Sequence, residues 1–246
     1  NGQPALEAIP IKINMGPCTK KWTARFEELL QTPESAEPVP VEQEHTALIT
    51  FTTGSSGTPK GADRSHRFLA AQHYAIDATL PYEKSDLDLP VFPIFSLNNL
   101  AAGVTTVLPA INVAEPADND PYVLYTQIKG ENLTTLTLNP SLLNGLNKYC
   151  LEKGVTLPGL RRVAAGGAAV SRDVVEEFTK IAPNAELVVM YGSTEAEPMA
   201  HITGKEMLAQ RSVSEDDPEL VDAGVNVGHF ADGLQYKFIK IVRGPI

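Results

Sequence analysis

The sequence predicts an α/β protein built on a mainly parallel sheet with crossover helices. Three features predict it. From Ala47 to Ala200, short apolar or β-branched runs alternate with stretches of helical period, and that alternation implies crossover units. Cap-forming residues, Ser65, Asp120, Asn139 and Ser171, stand directly before helical stretches. Loops rich in glycine or hydroxyls, Thr52–Gly61, Gly166–Ala169 and Tyr191–Glu195, each follow a strand candidate. Open α/β sheets gather ligands outside the carboxyl ends of their strands.

Taken in order, residues 1–20 carry little pattern. Trp22, Phe26, Leu29 and Leu30 fall at helical spacing and predict an amphipathic helix over Lys21–Gln31. Thr32–His45, rich in proline and glutamate, reads as an exposed linker. Residues 1–46 are therefore expected to be a leader helix and linker. Ala47–Phe51 reads as a buried strand. Ser65 opens a helix to Leu80, with Phe68, Leu69, Ala75, Ile76 and Leu80 on its apolar face. Leu89–Phe92 and Val104–Leu108 read as short buried strands, separated by an apolar-rich segment over 93–103. Ala110–Asp120 is a loop, and Asp120-Pro121 is a cap followed by a first-turn proline. Leu133–Leu138 is a strand. Asn139-Pro140 starts a helix that buries Leu142, Leu143, Leu146, Tyr149 and Cys150. Leu160–Ala165 is a strand, Ser171 caps a helix with Val174, Val175, Phe178 and Ile181 inward, and Leu187–Met190 is a further strand. These elements make residues 47–200 the expected core. After Ala200 the alternation stops, and residues 201–246 read as a loop and a separate β-rich piece, with its strand over Leu234–Val242.

Composition narrows the function classes. Of 246 residues, 43% are hydrophobic and 20% charged, which is ordinary for a globular protein. No apolar run reaches the ~18 residues of a membrane span. The start, Asn1-Gly2-Gln3-Pro4, lacks the basic and apolar regions of a signal peptide. Cys18 and Cys150 stand alone, as idle thiols do in a reducing compartment. A cytoplasmic location is expected. The net charge of −10 argues against a nucleic-acid partner. The five histidines show no metal-ligand spacing.

The chemistry concentrates in Ile49–Gly61. Gly54 and Gly57 let the backbone turn freely and let a ligand approach. Thr53, Ser55, Ser56 and Thr58 add hydroxyls, and Lys60 adds a point charge, a combination that suits phosphate oxygens. It is not a Walker A loop, because Gly61 rather than Ser or Thr follows Lys60. The plain alternative is a flexible surface turn. At Gly166-Gly167 a flat backbone can lie against a planar ring. Tyr191–Glu195 offers an aromatic face, hydroxyls and a carboxylate, and a carboxylate beside polyphosphate commonly holds Mg²⁺. Each has its plain reading too: Tyr191 and Phe95 as core, Gly166-Gly167 as a tight turn, Glu195 as a charge at a helix start.

Ile49–Lys60 resembles the phosphate-binding signature of the AMP-forming adenylate synthetases, the superfamily of acyl-CoA synthetases, luciferases and peptide-synthetase adenylation domains. Tyr191-Gly192-Ser193-Thr194-Glu195 is similar to that superfamily's Tyr-Gly-x-Thr-Glu motif, and Gly166-Gly167-Ala168 to its Gly-Gly-Ala motif. The resemblance implies the large N-terminal domain of the adenylate-forming fold. It implies that Thr53, Gly54, Ser55, Ser56, Gly57, Thr58 and Lys60 hold the β- and γ-phosphates of ATP. It implies that Gly166, Gly167 and Ala168 border adenine and the acyl pocket. Tyr191 would lie against adenine with Gly192 beside it, Thr194 would touch phosphate, and Glu195 would ligate Mg²⁺. Lys60, Thr194 and Glu195 are the catalytic expectations. Phe95-Ser96 aligns with an aromatic–histidine pair, so both are expected at the substrate, although Ser96 replaces the histidine. His66 matches a basic position after the first loop. Val91–Phe95 with Leu100–Gly103 resembles the fatty acyl-CoA synthetase-like subgroup, which includes the β-lactone synthetases of olefin biosynthesis.

The pattern departs in places. Gly228-His229-Phe230 stands where many members have Gly-x-Pro. The ribose-holding aspartate and the C-terminal lid domain with its lysine have no match up to Ile246, and the portion before the first loop is short. A fragment, inactive alone, is expected. The implied activity is activation of a fatty or aromatic acid with ATP to acyl-AMP and pyrophosphate, then transfer to CoA or a similar thiol. The rivals are an inactive adenine-nucleotide-binding module, a β-lactone synthetase acting on a β-hydroxy acid, and a phosphate-loop hydrolase or kinase.

Overall fold

A computed structural model describes residues 8–17, 24–32, 37–53, 59–113, 115, 118–209 and 225–239. The chain divides into two units, Asn1–Glu42 and Gln43–Ile246. In the first, β1 (Ile13–Asn14) pairs in parallel with β2 (Ala24–Arg25), and α1 (Phe26–Leu29) follows directly. The helix expected over Lys21–Gln31 is thus much shorter. Ala24 and Arg25 are extended because their backbone pairs with β1, so the helix can start only at Phe26. Trp22, expected on its apolar stripe, lies outside the described residues.

The second unit opens with a hairpin. β3 (Thr46–Thr53) pairs antiparallel with β4 (Pro59–Ser65), from Thr46 opposite Ser65 to Thr53 opposite Pro59. This corrects two expectations. β3 is not a buried strand of the parallel sheet: Ile49 is 55% and Phe51 74% exposed. β3 pairs with β4 in a separate two-stranded sheet, so the first loop does not follow a strand of the main sheet. A hairpin strand paired on one side and covered on one face keeps its alternate residues in water.

Ser65 ends β4 and caps α2 (His66–Thr79), its Oγ accepting the Phe68 N–H at 3.2 Å. The main sheet then builds through β5 (Leu87–Pro90), α3 (Pro93–Ala102), β6 (Thr105–Thr106), α4 (Pro121–Gly130), β7 (Thr135–Leu138), α5 (Pro140–Lys153), β8 (Arg162–Ala165), α6 (Arg172–Ile181) and β9 (Glu186–Ser193). β10 (Ala196–Thr203), α7 (Gly204–Ala209) and β11 (His229–Phe230) complete it. The strand order is β11-β10-β9-β8-β7-β5-β6. β6, β5, β7, β8 and β9 run parallel, while β10 and β11 add antiparallel at one edge. The predicted caps form: Asp120 Oδ1 accepts from Tyr122 N–H at 2.9 Å, Asn139 Oδ1 from Leu142 N–H at 2.8 Å, and Ser171 Oγ from Val174 N–H at 3.4 Å. Such caps are worth ~1 kcal/mol each.

Three expectations need correction here. Residues 93–102 form a helix, and the Val104–Leu108 strand shrinks to Thr105–Thr106. Pro93 in the first turn and Gly103 at φ +69 are the start and stop signals that mark it. β10 has no counterpart among the strands the sequence predicts. Leu234–Ile239 forms no strand. The late strand is β11, paired with β10 in the main sheet, and residues 240–242 lie outside the described residues.

The sheet is covered on both faces. Val163, Ala165, Leu187 and Val189 pack with Leu124, Leu143, Leu146 and Phe178 on one side. Their alternates, Ala164, Val188 and Met190, pack with Ile76, Leu80 and Phe95 on the other. A buried polar cluster ties α3 to the strands. Asp88, fully buried, accepts from Thr135 Oγ1 at 2.6 Å and Asn99 Nδ2 at 2.7 Å. Burial pushes its carboxyl up against the pull of those hydrogen bonds. Beside it, Asp86 pairs with Arg161.

Candidate nucleotide cleft

A cleft of about 650 Å³ opens at the carboxyl ends of the parallel strands. Phe92 follows β5, Thr137 lies on β7, Gly166 and Gly167 follow β8, and Gly192 and Ser193 end β9, with Thr194 and Glu195 in the turn after it. Thr50, Phe51 and Arg64 of the hairpin close one side. This is where an open α/β sheet gathers its ligands.

Gly166, Gly167, Gly192, Thr194, Glu195 and Phe95 all line the cleft, drawn together from three separate stretches of sequence. A Cβ on Gly166 would lie 3.0 Å from the Met190 carbonyl oxygen. Gly167 is at φ +85, and a Cβ there would lie 3.3 Å from Phe92 Cζ. Gly167 therefore needs glycine, a Cβ on Gly166 would crowd a backbone oxygen, and the pair leaves bare backbone at the cleft. Phe92 and Phe95 stand with ring centroids 6.3 Å apart, tilted by 49°.

Other predicted site residues are placed elsewhere. Lys60 is exposed on β4, opposite Thr52, and does not line the cleft. Ala168 and Tyr191 are exposed, Tyr191 to 51%, and neither lines it; nor does the half-buried Ser96 of α3. Thr53 lies at the described end of β3. Gly54, Ser55, Ser56, Gly57 and Thr58 lie outside the described residues.

Sequence reasoning missed a polar relay beside the cleft. Arg64, only 4% exposed, donates from Nη2 to the Thr194 carbonyl at 2.7 Å and from Nη1 to Gln72 Oε1 at 3.3 Å. Gln72 Nε2 donates to Glu197 Oε2 at 3.4 Å. The Arg64 guanidinium also lies 5.4 Å from the Phe68 ring centroid. Burial pushes the Glu197 carboxyl up, and Arg64 pulls it back. The only sequence signal is an arginine two residues before a helix.

A second cavity, of about 400 Å³, lies between α2 and α3. Leu69, Ile76, Leu97 and Ala101 line it, and it shares Ile94 with the cleft.

The donors fit Mg²⁺ carried on a polyphosphate. Glu195 is an exposed carboxylate on the cleft wall. No group of three or more His, Cys, Asp or Glu gathers among the described residues, as a dedicated metal cage would require. Mg²⁺ keeps several waters and takes one or two carboxylates plus substrate phosphates. Among the described residues, no helix is long and apolar enough to cross a membrane.

Residues 2–233 match the family model described as AMP-binding enzyme. The chain is 34% identical over 204 residues to an olefin beta-lactone synthetase of Stenotrophomonas maltophilia, covering 82% of this chain and 35% of that protein. It is 33% identical over 178 residues to a long-chain-fatty-acid–CoA ligase of Thermus thermophilus, covering 71% of this chain and 32% of that protein. It thus spans about a third of the length of these relatives. Among solved structures, the luciferase-like enzyme of the mealworm Zophobas morio superposes with TM-score 0.67 at 20% identity, covering 89% of this chain and 49% of that one. O-succinylbenzoate coenzyme A synthetase of Bacillus subtilis, in complex with AMP, superposes with TM-score 0.59 at 17% identity, covering 77% and 39%. At these identities the structural likeness speaks for the fold, that of the adenylate-forming N-terminal domains.

Proposed function

The chain belongs to the AMP-binding enzyme family, and on that premise we propose that it forms the nucleotide- and acid-binding part of an ATP-dependent carboxylate-activating enzyme. The observation that carries the proposal is the cleft itself, which joins the bare Gly166-Gly167 backbone, the Gly192–Glu195 turn and the Phe92–Phe95 pair around one space.

In the proposed reaction, a carboxylate oxygen attacks the α-phosphorus of ATP. An O–P bond forms, the bond to the pyrophosphate oxygen breaks, and acyl-AMP and pyrophosphate result. A thiol such as CoA then takes the acyl group and releases AMP. No side chain becomes covalently attached, so the protein contributes position and charge. Gly166 and Gly167 give adenine a flat seat. Thr194 donates its hydroxyl to phosphate. Lys60, with Thr53, Ser55, Ser56 and Thr58, takes the β- and γ-phosphates. Glu195 would hold Mg²⁺, which when bound supplies positive charge against the phosphate oxygens.

The Ile94-linked cavity between α2 and α3 supports an apolar acid, aliphatic or aromatic, because its lining is mostly hydrocarbon. A second reading keeps the adenylation and replaces the thiol transfer. A β-hydroxyl of the acyl group would displace AMP and close a β-lactone. The similarity to two olefin beta-lactone synthetases, at 34% and 33% identity, favours it over a bare binding module.

The test measures pyrophosphate release from ATP with a panel of carboxylic acids, on the whole protein that contains this chain, for the wild type and Glu195→Ala. Acid-dependent release, lost in the variant together with Mg²⁺-dependent ATP binding, is expected. Phosphate release without any acid would point to a hydrolase. Nucleotide binding without release of either product would point to an inactive module.

A further inference from the structure

We propose that Arg64 is a positioning residue that couples the phosphate-loop hairpin to the turn carrying Glu195. The inference rests on the roles proposed above for Lys60 and Glu195. The hairpin β3–β4 forms its own two-stranded sheet, so no ladder of backbone hydrogen bonds sets its distance from β9. Arg64 supplies a direct link. It lies on β4, the strand that bears Lys60, and reaches the Thr194 carbonyl, 130 residues away in sequence, at 2.7 Å.

The bond falls on the peptide that precedes Glu195. A peptide unit is planar, so fixing the Thr194 carbonyl also fixes the N–H and Cα of Glu195. The other arm of the guanidinium, through Gln72, extends the constraint to Glu197 at the start of β10. Arg64 thus holds Thr194 directly and reaches Glu197 through Gln72. A buried guanidinium with no direct carboxylate hydrogen bond among the described residues is an expensive way to gain stability alone. Its two-pronged fork is suited to holding two acceptors at a set separation. Lysine carries its donors on one compact ammonium at the end of a flexible stem and lacks that fixed fork.

The experiment compares the wild type, R64A and R64K on the whole protein. It reads kcat for acid-dependent pyrophosphate release, the Mg²⁺ concentration giving half-maximal rate, and AMP affinity without Mg²⁺. Amide hydrogen exchange over residues 191–197 is measured in parallel. R64A is expected to lower kcat by up to about 100-fold, the scale of a misplacement near 1 Å. It should also raise the Mg²⁺ requirement several-fold, weaken AMP by less than that because the Gly166-Gly167 seat is untouched, and speed exchange over 191–197. R64K should restore part of each change, and it carries the comparison if R64A does not fold. A rate that falls only in proportion to folded protein, with the Mg²⁺ requirement and the exchange unchanged, overturns the proposal. A wild type that releases no pyrophosphate with any acid overturns the proposed function instead. The exchange measurement then decides the coupling by itself, and unchanged exchange in both variants overturns it.

Discussion

Gly167→Ala separates the cost of backbone strain from the cost of a blocked seat for adenine. Gly167 is at φ +85, and its Cβ would meet Phe92 Cζ at 3.3 Å. Gly154, which ends α5 at φ +62, would meet nothing within 4 Å and does not line the cleft. A non-glycine residue in a left-handed conformation costs about 1–2 kcal/mol. The stiffer unfolded chain of alanine returns about 0.4–1 kcal/mol. Each variant should therefore lose on the order of 1 kcal/mol of stability, read from urea unfolding. Only Gly167→Ala adds a methyl to the cleft surface and pushes the Phe92 ring. It should also weaken AMP by about tenfold, or ~1.4 kcal/mol, in a calorimetric titration. Gly154→Ala should bind AMP like the wild type. Equal loss of AMP affinity in the two variants, or undiminished binding by Gly167→Ala, would refute the assignment of this backbone to the nucleotide.

Lys60→Ala should weaken ATP far more than AMP, because AMP lacks the β- and γ-phosphates; equal losses would show that the hairpin turn is wrongly oriented. Asp88 has its carboxyl raised by burial, so the folded chain holds that proton more tightly than the unfolded one. Its contribution to stability is present at low pH and is lost as pH rises through the folded value. Asp88→Asn removes that loss, and its urea midpoint should gain on the wild type as pH rises above the ordinary carboxylate range; a pH-independent difference would contradict the shift. Cys150 is fully buried, and burial pushes its thiol up to about 11. In a Cys18→Ser background it should resist a thiol reagent until the protein unfolds, and reaction under native conditions would contradict its placement.

The features of the fold that are legible in the sequence are mostly local. Ser65, Asp120, Asn139 and Ser171 cap the helices they precede, because a cap bonds the backbone two or three residues ahead of it. The strands from β7 to β9 are legible because their apolar runs are short and bounded by turn residues. α3 escapes a sequence reading because it is apolar around most of its circumference, which hides a 3.6-residue period. β10 escapes it because the strand contains Pro198, and proline argues against a strand unless the strand's neighbours leave room for it.

The site is legible to the extent that its parts are backbone. Gly166, Gly167 and the Gly192–Glu195 turn stand out, since glycines and hydroxyls after a strand serve few structural ends. Relations between distant segments leave no such mark. An apolar run such as Ala47–Phe51 has the same composition in a buried parallel strand and in a half-exposed hairpin; only its antiparallel register with β4 distinguishes them. Arg64 is harder still, because its partners Gln72 and Thr194 are set by tertiary packing and neither belongs to a spacing rule. Substitutions should divide along the same line. Changes at the glycines should affect the nucleotide directly. Changes at Arg64, Gln72 or Glu197 should act at a distance, through the Thr194–Glu195 peptide, and should show first as an altered need for Mg²⁺ rather than as lost AMP binding.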